Sequence, residues 1–350
     1  MSIASAYRLE FQTSINGDQI SGLLRAAIAT TNCFSADTYS LTFAINAEAS
    51  DNIDFWSTIS AAYVEVTAVL LSSDGSASQS LITGMADTIH VDPIQGTVAV
   101  EGRDLSSSMI DSYRQQDFVN QTASEVVSAI AQYHNLQPVV TSTSGMVGRY
   151  YSDSYTKLSL GQCSRLQSDW DVVVQLARQN NFDVFVQGQS LYFQPAGELM
   201  SAPVLVSIYD VRSMRFEKSL GIGTNATAMV QSWNSQNMAA YRSNNVDQST
   251  IENQGSSAPN LPFLFSGSNY TSQQVSDLTG QYAAELARLG TVLHIDMPWN
   301  LALSPRTIIL LSDTHSTLDT TYQIDSIERR YSSTSGSTQT IRAAQISSLY

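Results

Sequence analysis

Lysine is almost missing from this chain. Lys157 and Lys218 are the only two, and all 17 cations together face 31 acids, for a formal net charge of −14. Binding nucleic acid through its phosphates needs clustered Lys and Arg, so the composition excludes general nucleic-acid binding. Cysteine is scarce as well: Cys33 and Cys163 lie far apart and match no metal or redox spacing, and nothing requires them to pair. The four histidines, His90, His134, His294 and His315, have no second His or Cys at helical spacing, which argues against a zinc site. There is no G-x-S-x-G and no Walker loop, and Gly221-Ile222-Gly223 sits among strand signals with no helix after it. No run of apolar residues reaches membrane length; the most apolar early run, Leu23 to Ala29, contains Arg25. The N-terminus lacks the basic-then-apolar pattern of a leader, so the expectation is a protein made in the cytoplasm without membrane insertion.

What is present is polar without being charged: Ser, Thr, Asn and Gln dominate. The acid excess is uneven. Residues 1–103 carry 11 acids against 3 Arg, residues 104–195 carry 8 against 5 bases, and residues 196–350 carry 12 against 9. Such a surface keeps a protein soluble, and it also repels passing polyanions.

The chain is organised around residues 168–195. Ser168 with Asp171 has capping-box spacing, and Asp169 and Asp171 suit the positive end of a helix dipole. Trp170, Val173, Val174 and Ala177 form an apolar face. Asn180-Asn181 ends the helix, and Phe182–Val186 and Gln189–Gln194 read as a hairpin turning at Gln187-Gly188. Before this unit, six short alternating strands between Tyr7 and Glu101, with turns at Asn16-Gly17 and Asp74-Gly75, predict a β-barrel over residues 1–103. Residues 104–195 read as a small α+β domain. It holds a short helix near Ser106–Asp111 and a helix capped by Thr122 and Glu125, with Ala123, Val126, Val127, Ile130 and Ala131 as its stripe and Pro138 as its stop. Residues 196–350 read as a second barrel carrying one helix from Thr271, and residues 243–260 as a long loop. The fold class expected is therefore mainly β, two tube-type β-barrels joined by a small α+β domain.

Candidate chemistry is thin. Asp313-Thr314-His315 is the nearest approach to a dyad, but its surroundings from Ser312 to Thr320 read as a polar hairpin loop. Asp51/Asp54 and Asp169/Asp171 are carboxylate pairs of the kind glycoside hydrolysis uses, yet spacing cannot choose among so many acids. Tyr150, Tyr151 and Tyr155 could form a sugar platform, and Trp233 and Trp299 sit near strand ends where core or interface roles are commoner. No catalytic, cofactor-binding or metal residue is assigned, and an enzyme is not expected.

Three stretches in order carry a family resemblance. They are Leu81-Ile-Thr-Gly-Met-Ala-Asp-Thr-Ile89 leading through Gly96–Leu105 to Ile110-Asp111, then Thr122-Ala-Ser-Glu125 with its helix, then Ser168-Asp-Trp-Asp171 through Leu191-Tyr-Phe193. With weaker echoes in Val211–Phe216, Gln231-Ser-Trp233 and Tyr322–Ile327, the chain resembles the baseplate or tail-tip hub proteins of phage tails, the late-control D type. Residues 243–260 and Leu293–Ser304 match poorly. The resemblance implies a homotrimer forming a pseudo-hexameric ring at the virion's tail tip. Its neighbours would be a tail tube or distal tail protein above and a spike or central fibre below, and DNA would pass through without specific binding. The alternatives are a carbohydrate-binding or cell-wall-degrading tail component, or the hub of a related secretion needle. If Asp313-Thr314-His315 is only a loop, His315→Ala leaves the thermal melt and the native mass unchanged; loss of either reopens the site question.

Overall fold

Alternating apolar and polar residues build most of the molecule. The computed structural model describes residues 8–47, 52–72, 75–159, 167–197, 203–220, 226–235, 237–244 and 261–346. Tyr7, Asp51, Asp74, Cys163, Gly221–Gly223 and residues 245–260 of the expected long loop lie outside them.

The N-terminal third contains β1 (Arg8–Ile15), β2 (Asp18–Ile20), β3 (Leu23–Thr31), β4 (Thr38–Ala44), β5 (Tyr63–Ser72), β6 (Gly75–Asp92) and β7 (Thr97–Asp104). These are antiparallel in the order β3-β4-β7-β6-β5-β1-β2. Asn16 and Gly17 both take positive φ, as an Asn-Gly hairpin requires. A helix that the sequence reading did not anticipate, α1 (Ile53–Thr58), is capped by the Asn52 side chain and buries Trp56 against Phe43. Ile28, Leu41, Phe43, Val64, Val66, Val98 and Val100 fill the core behind it.

The middle of the chain contains α2 (Ser107–Ile110), β8 (Asp117–Val119), α3 (Ala123–Tyr133), β9 (Gln137–Val140), β10 (Arg149–Ser152), β11 (Tyr155–Ser159), α4 (Asp169–Asn180), β12 (Phe182–Gln187) and β13 (Ser190–Pro195). Both expected capping boxes form reciprocally, Thr122 with Glu125 and Ser168 with Asp171. Asn181 closes α4 in the left-handed conformation (φ 57, ψ 47). The buried face of α4 is Trp170, Val172, Val173, Leu176 and Ala177, so Val174 is only partly covered. The hairpin closes at Gln187↔Ser190, which places its turn at Gly188-Gln189, one residue later than the sequence suggested. Gly188 supplies the positive φ (57) that such a turn needs at its first central position. Pro138 does not stop α3. The helix ends at Tyr133, with left-handed Asn135 just beyond, and Pro138 stands in the edge strand β9, where its missing N–H is tolerated.

Asp169 turns inward although it begins a helix. Its carboxylate is 1% exposed and accepts from Arg114 Nε (2.6 Å) and His134 Nε2 (2.8 Å). Arg114 also lies 4.0 Å over the Tyr133 ring. Burial alone would raise this carboxyl, but the His134 and Arg114 hydrogen bonds outweigh it and hold it below the usual range. Its share of stability is therefore present above the ordinary Asp pKa and is lost as the pH falls through the depressed one.

The rest of the chain contains β14 (Val204–Ser207), β15 (Ser213–Lys218), β16 (Ala226–Asn234), β17 (Ala239–Asn244), β18 (Leu261–Ser268), α5 (Ser272–Arg288), β19 (Thr291–Met297), β20 (Ile308–Ser312), β21 (Thr321–Ser332) and β22 (Gly336–Gln345). Strands β14, β20, β21, β22, β19 and β15 form the second tube-type half. The helix does not lie on that half's strands. It packs on a separate sheet of order β17-β16-β18, with Val230, Val275 and Leu278 between them, so these three strands and α5 form a small α+β insertion. Strand β18 escapes sequence reading because Pro262 and Gly267 interrupt it. Gly267 is needed where the Tyr270 ring crosses: an added Cβ would meet Tyr270 Cε2 at 2.1 Å.

The mainly β fold with an α+β middle region is the one adopted, and its two tube-type halves are continuous with each other. Strand β21 offers one edge to two partners: Thr321–Gln323 pair with β20, then Ser326–Ser332 pair with β3. A bulge between Ile324 and Ser326 marks the change. Trp299 reinforces the join by entering the N-terminal core, edge-on to Phe11 at 5.4 Å, while its indole N–H donates to Thr338 O at 2.7 Å. Two variants test the middle unit. Trp170→Ala removes a side chain 6% exposed, and Asp169→Ala leaves the half-buried Arg114 and the buried His134 ring without their carboxylate. Each is expected to cost about 3 kcal/mol or more in chemical denaturation; an unchanged midpoint for either would show that its side chain does not hold the fold.

Candidate functional site

The three parts of the chain meet at a cleft of about 460 Å³ lined by the end of β3, by β6, by the β12–β13 hairpin and by the loop before β20. Short-range chemistry places each wall. Beyond β3, Phe34 takes φ 66; its N–H donates to Val184 O at 3.0 Å and its carbonyl accepts from Trp170 Nε1 at 3.4 Å. The N–H of Asn32 donates to Asp325 O at 2.7 Å, at the β21 bulge. Arg306 (φ 73) donates to the Asn32 carbonyl and lies 3.6 Å over the Phe185 ring, which stacks on Tyr192 at 4.9 Å. One arginine from the third part thus grips both the first part and the middle one. The hairpin that organises the sequence supplies the aromatic platform.

The charges in this joint are displaced from their ordinary behaviour. Burial, followed by the neighbouring Asp104 charge, pushes Asp37 up to about 7, and burial pushes Asp104 up to about 6. Burial lowers Arg306, and lowers Arg329 to about 10. Burial and the Asp183 charge push the Cys33 thiol up to about 12, so it stays protonated and is no nucleophile at neutral pH. Two neighbouring carboxyls and two arginines in a cleft are what a search for catalysis looks for. Here three of the four carboxylate oxygens are already engaged. Asp37 Oδ1 accepts from Thr31 N at 2.7 Å, and Asp104 Oδ1 accepts from Ser106 N and Ser106 Oγ while its Oδ2 accepts from Asp37 N at 3.2 Å. The arrangement holds a loop in place.

The stretch from Leu81 to Asp111 gains a physical meaning at the same joint. Gly84 and Gly102 sit where β6 and β7 approach too closely for a side chain: an added Cβ would lie 2.0 Å from Arg103 O and 2.2 Å from Met85 O, respectively. Arg103 then bridges Asp87 at 2.7 Å and Asp111 at 2.6 Å, tying the strand pair to α2.

The other sequence candidates are scattered. His90 is on β6, His134 is in the Asp169 network, and His294 lies 3.9 Å from Glu217. In the 312–320 loop, Asp313 accepts from Ser207 Oγ and Ser312 Oγ, while Asp319 accepts from the backbone N–H groups of Thr314 and His315. That loop is held by its own aspartates. Among the described residues no group of three or more His, Cys, Asp or Glu is placed to hold a metal ion. Asp54 lies in α1, Trp299 is buried and Trp233 is 57% exposed. Tyr150, Tyr151 and Tyr155 stand on the β10–β11 hairpin, with Tyr151 edge-on to Tyr155 at 5.6 Å. Sequence reading missed Arg114, Arg306 and Asp37; their partners are distant in the chain, so no local spacing marks them.

A family model described as the Alg8 N-terminal domain matches residues 75–292. No curated protein matches the sequence. Among solved structures, a tail protein from Neisseria meningitidis MC58 is similar at TM-score 0.71 and 13% identity, covering 96% of each chain. The 43 kDa tail protein of prophage MuSo2 from Shewanella oneidensis is similar at TM-score 0.68 and 14% identity, covering 96% of this chain and 98% of the other. An Escherichia coli component of the type VI secretion system, described as structurally similar to T4 phage tail proteins, matches at TM-score 0.56 and 11% identity, covering 98% of this chain and 78% of that one. These likenesses show a fold shared with phage and secretion-system tail proteins.

The joint makes a pH prediction. A carboxyl whose folded pKa is raised contributes stability that is full below its unfolded pKa and is lost as the pH rises through the folded one. Asp37→Asn keeps an oxygen for Thr31 and removes the titration. Relative to the parent, this variant should gain stability in urea as the pH goes from about 4 to about 8. A stability difference constant across that range would show that Asp37 titrates normally.

Proposed function

This chain belongs to the Alg8 N-terminal domain family, and we propose that it serves as the structural hub of a phage or phage-like tail. Three copies form a pseudo-hexameric ring at the tail tip or baseplate, between a tail tube or distal tail protein on one side and a spike or central fibre on the other. The observation that carries this reading is the pairing of β21 with β3. It makes two tube-type halves into one sheet, so each chain brings two adjacent ring segments in fixed register. A wall built from three such chains contains six.

The surface at one end of the sheet supports the same reading. Strand β14 pairs only with β20 among the described residues, and Leu205 and its partner Leu310 are 64% and 41% exposed beside Tyr209 at 79%. Free strand edges usually carry charge or are covered. This one carries leucine, which fits a neighbouring chain packed over it. The acid excess of residues 1–103 gains a role in the ring: carboxylates facing the channel repel phosphate and let DNA pass without sticking. A second reading, the hub of a secretion needle, draws on the likeness to the Escherichia coli protein and shares the same ring.

Native mass spectrometry tests the assembly. The expected species is the three-chain one, about 114 kDa from chains of 38.1 kDa, and Leu205→Asp should shift it toward single chains. A parent protein that remains monomeric at high concentration overturns the ring, and a trimer indifferent to Leu205→Asp removes the β14 surface from its interface.

A further inference from the structure

A second cleft, of about 390 Å³, lies between the middle unit and the inserted one, and its walls differ from the rest of the molecule. In a chain with 31 acids against 17 bases, no acidic residue lines it among the described residues. Two of its walls are rich in carboxamides: Gln175, Gln179 and Asn180 on α4, and Gln274 in the first turn of α5 with Asn269 in the turn before that helix. The third wall is the β10–β11 hairpin, which brings Tyr151, 59% exposed, with Arg149 and Lys157. Tyr270 stands opposite and is hydrogen-bonded to Gln179, so the two units hold this gap from both sides.

The amides are positioned yet incompletely used. Asn180 Nδ2 donates to Leu176 O, Gln274 Oε1 accepts from Thr271 N and Asn269 Oδ1 accepts from Ser235 N; among the described residues the Asn180 oxygen and the amino groups of Gln274 and Asn269 have no partner. Lys157 is occupied by Asp117 at 2.8 Å, but among the described residues no carboxylate pairs with Arg149. A carboxamide offers a donor and an acceptor side by side, which matches adjacent hydroxyls. A tyrosine face accepts an apolar ring face while its hydroxyl stays wet. An unpaired guanidinium is suited to a carboxylate or phosphate. The volume lies within the range of small-molecule sites.

We propose that this cleft binds an acidic oligosaccharide, with the sugar ring on Tyr151, its hydroxyls on the carboxamides and its anionic group on Arg149. Hydrolysis of a glycosidic bond by the usual route requires two carboxyl groups flanking it, and this cleft has none, so the site holds the saccharide without cutting it. The inference stands on the cleft alone and does not depend on the ring, because the cleft lies within one chain.

Isothermal titration of the full chain with a galacturonate tetrasaccharide, and with maltotetraose as the neutral control, tests it. The acidic saccharide should bind and be recovered intact. Arg149→Gln and Tyr151→Ala should each weaken it by about tenfold while leaving the thermal melt unchanged, since both side chains are at the surface. No heat with either saccharide at ~1 mM, or binding of the acidic one that neither substitution alters, overturns the proposal. Equal binding of maltotetraose, insensitive to Arg149→Gln, overturns its acidic part, and cleavage of the bound saccharide overturns the assignment as a holding site.

Discussion

One strand with a divided edge sets the plan of this molecule. Strand β21 is long enough to serve β20 with its first residues and β3 with its last ones, and the bulge between Ile324 and Ser326 allows the change of partner. Because side chains alternate, a slip of one residue in the β21–β3 pairing would turn a whole strand inside out. Ile327, Arg329 and Tyr331 would leave the cores they now touch. The relative position of the two halves is therefore fixed by register, with Trp299 as the second anchor. Asp325, at the bulge itself, accepts from Arg288 at the end of α5 and from Arg342 on β22, so the inserted unit is tied to the same point.

The charged groups around this plan are few and mostly buried. Asp37 and Asp104 come from the first part, Asp183 from the hairpin, and Arg306 and Arg329 from the last. Buried charges add little net stability once desolvation is counted, but removing one partner is costly. They penalise wrong arrangements more than they reward the right one. A joint between three units gains from that, because apolar surfaces alone can slide. Arg306 shows the device most fully: its planar group covers Phe185 while its N–H binds the Asn32 carbonyl, a geometry that lysine could not reproduce.

The sequence was legible wherever the cause of a structure is local. Thr122 with Glu125, Ser168 with Asp171, and Thr271 with Gln274 each mark a helix start within four residues, and all three boxes form. Asn16-Gly17 and Asn181 are equally local. Asp169 defeats this kind of reading. Its place in the first turn satisfies the helix dipole, so nothing in the sequence asks for a further explanation, yet it faces inward to Arg114 and His134 from distant parts of the chain. The insertion is hidden for a related reason. Strands β16 and β18 run parallel and must be joined by a long connection, so no turn signal links them. The amphipathic stripe of α5 was visible, but not the sheet it would cover.

The two outer strands of the second half, β15 and β14, are unlike each other. Strand β15 presents Arg215, Glu217 and Lys218, charges that guard an edge against unwanted pairing. Strand β14 presents leucine instead. A two-fold dimer joins a patch to itself and would consume the β14 surface in one step, leaving nothing to extend. The proposed ring needs two different surfaces on each chain, and the apolar β14 surface would be one of them. Within one chain β21 already performs such a join, covering β3 without a symmetric partner. In the proposed ring, repeating that asymmetric contact between chains would extend the same sheet logic around a closed wall, with the charged β15 edge guarded against pairing.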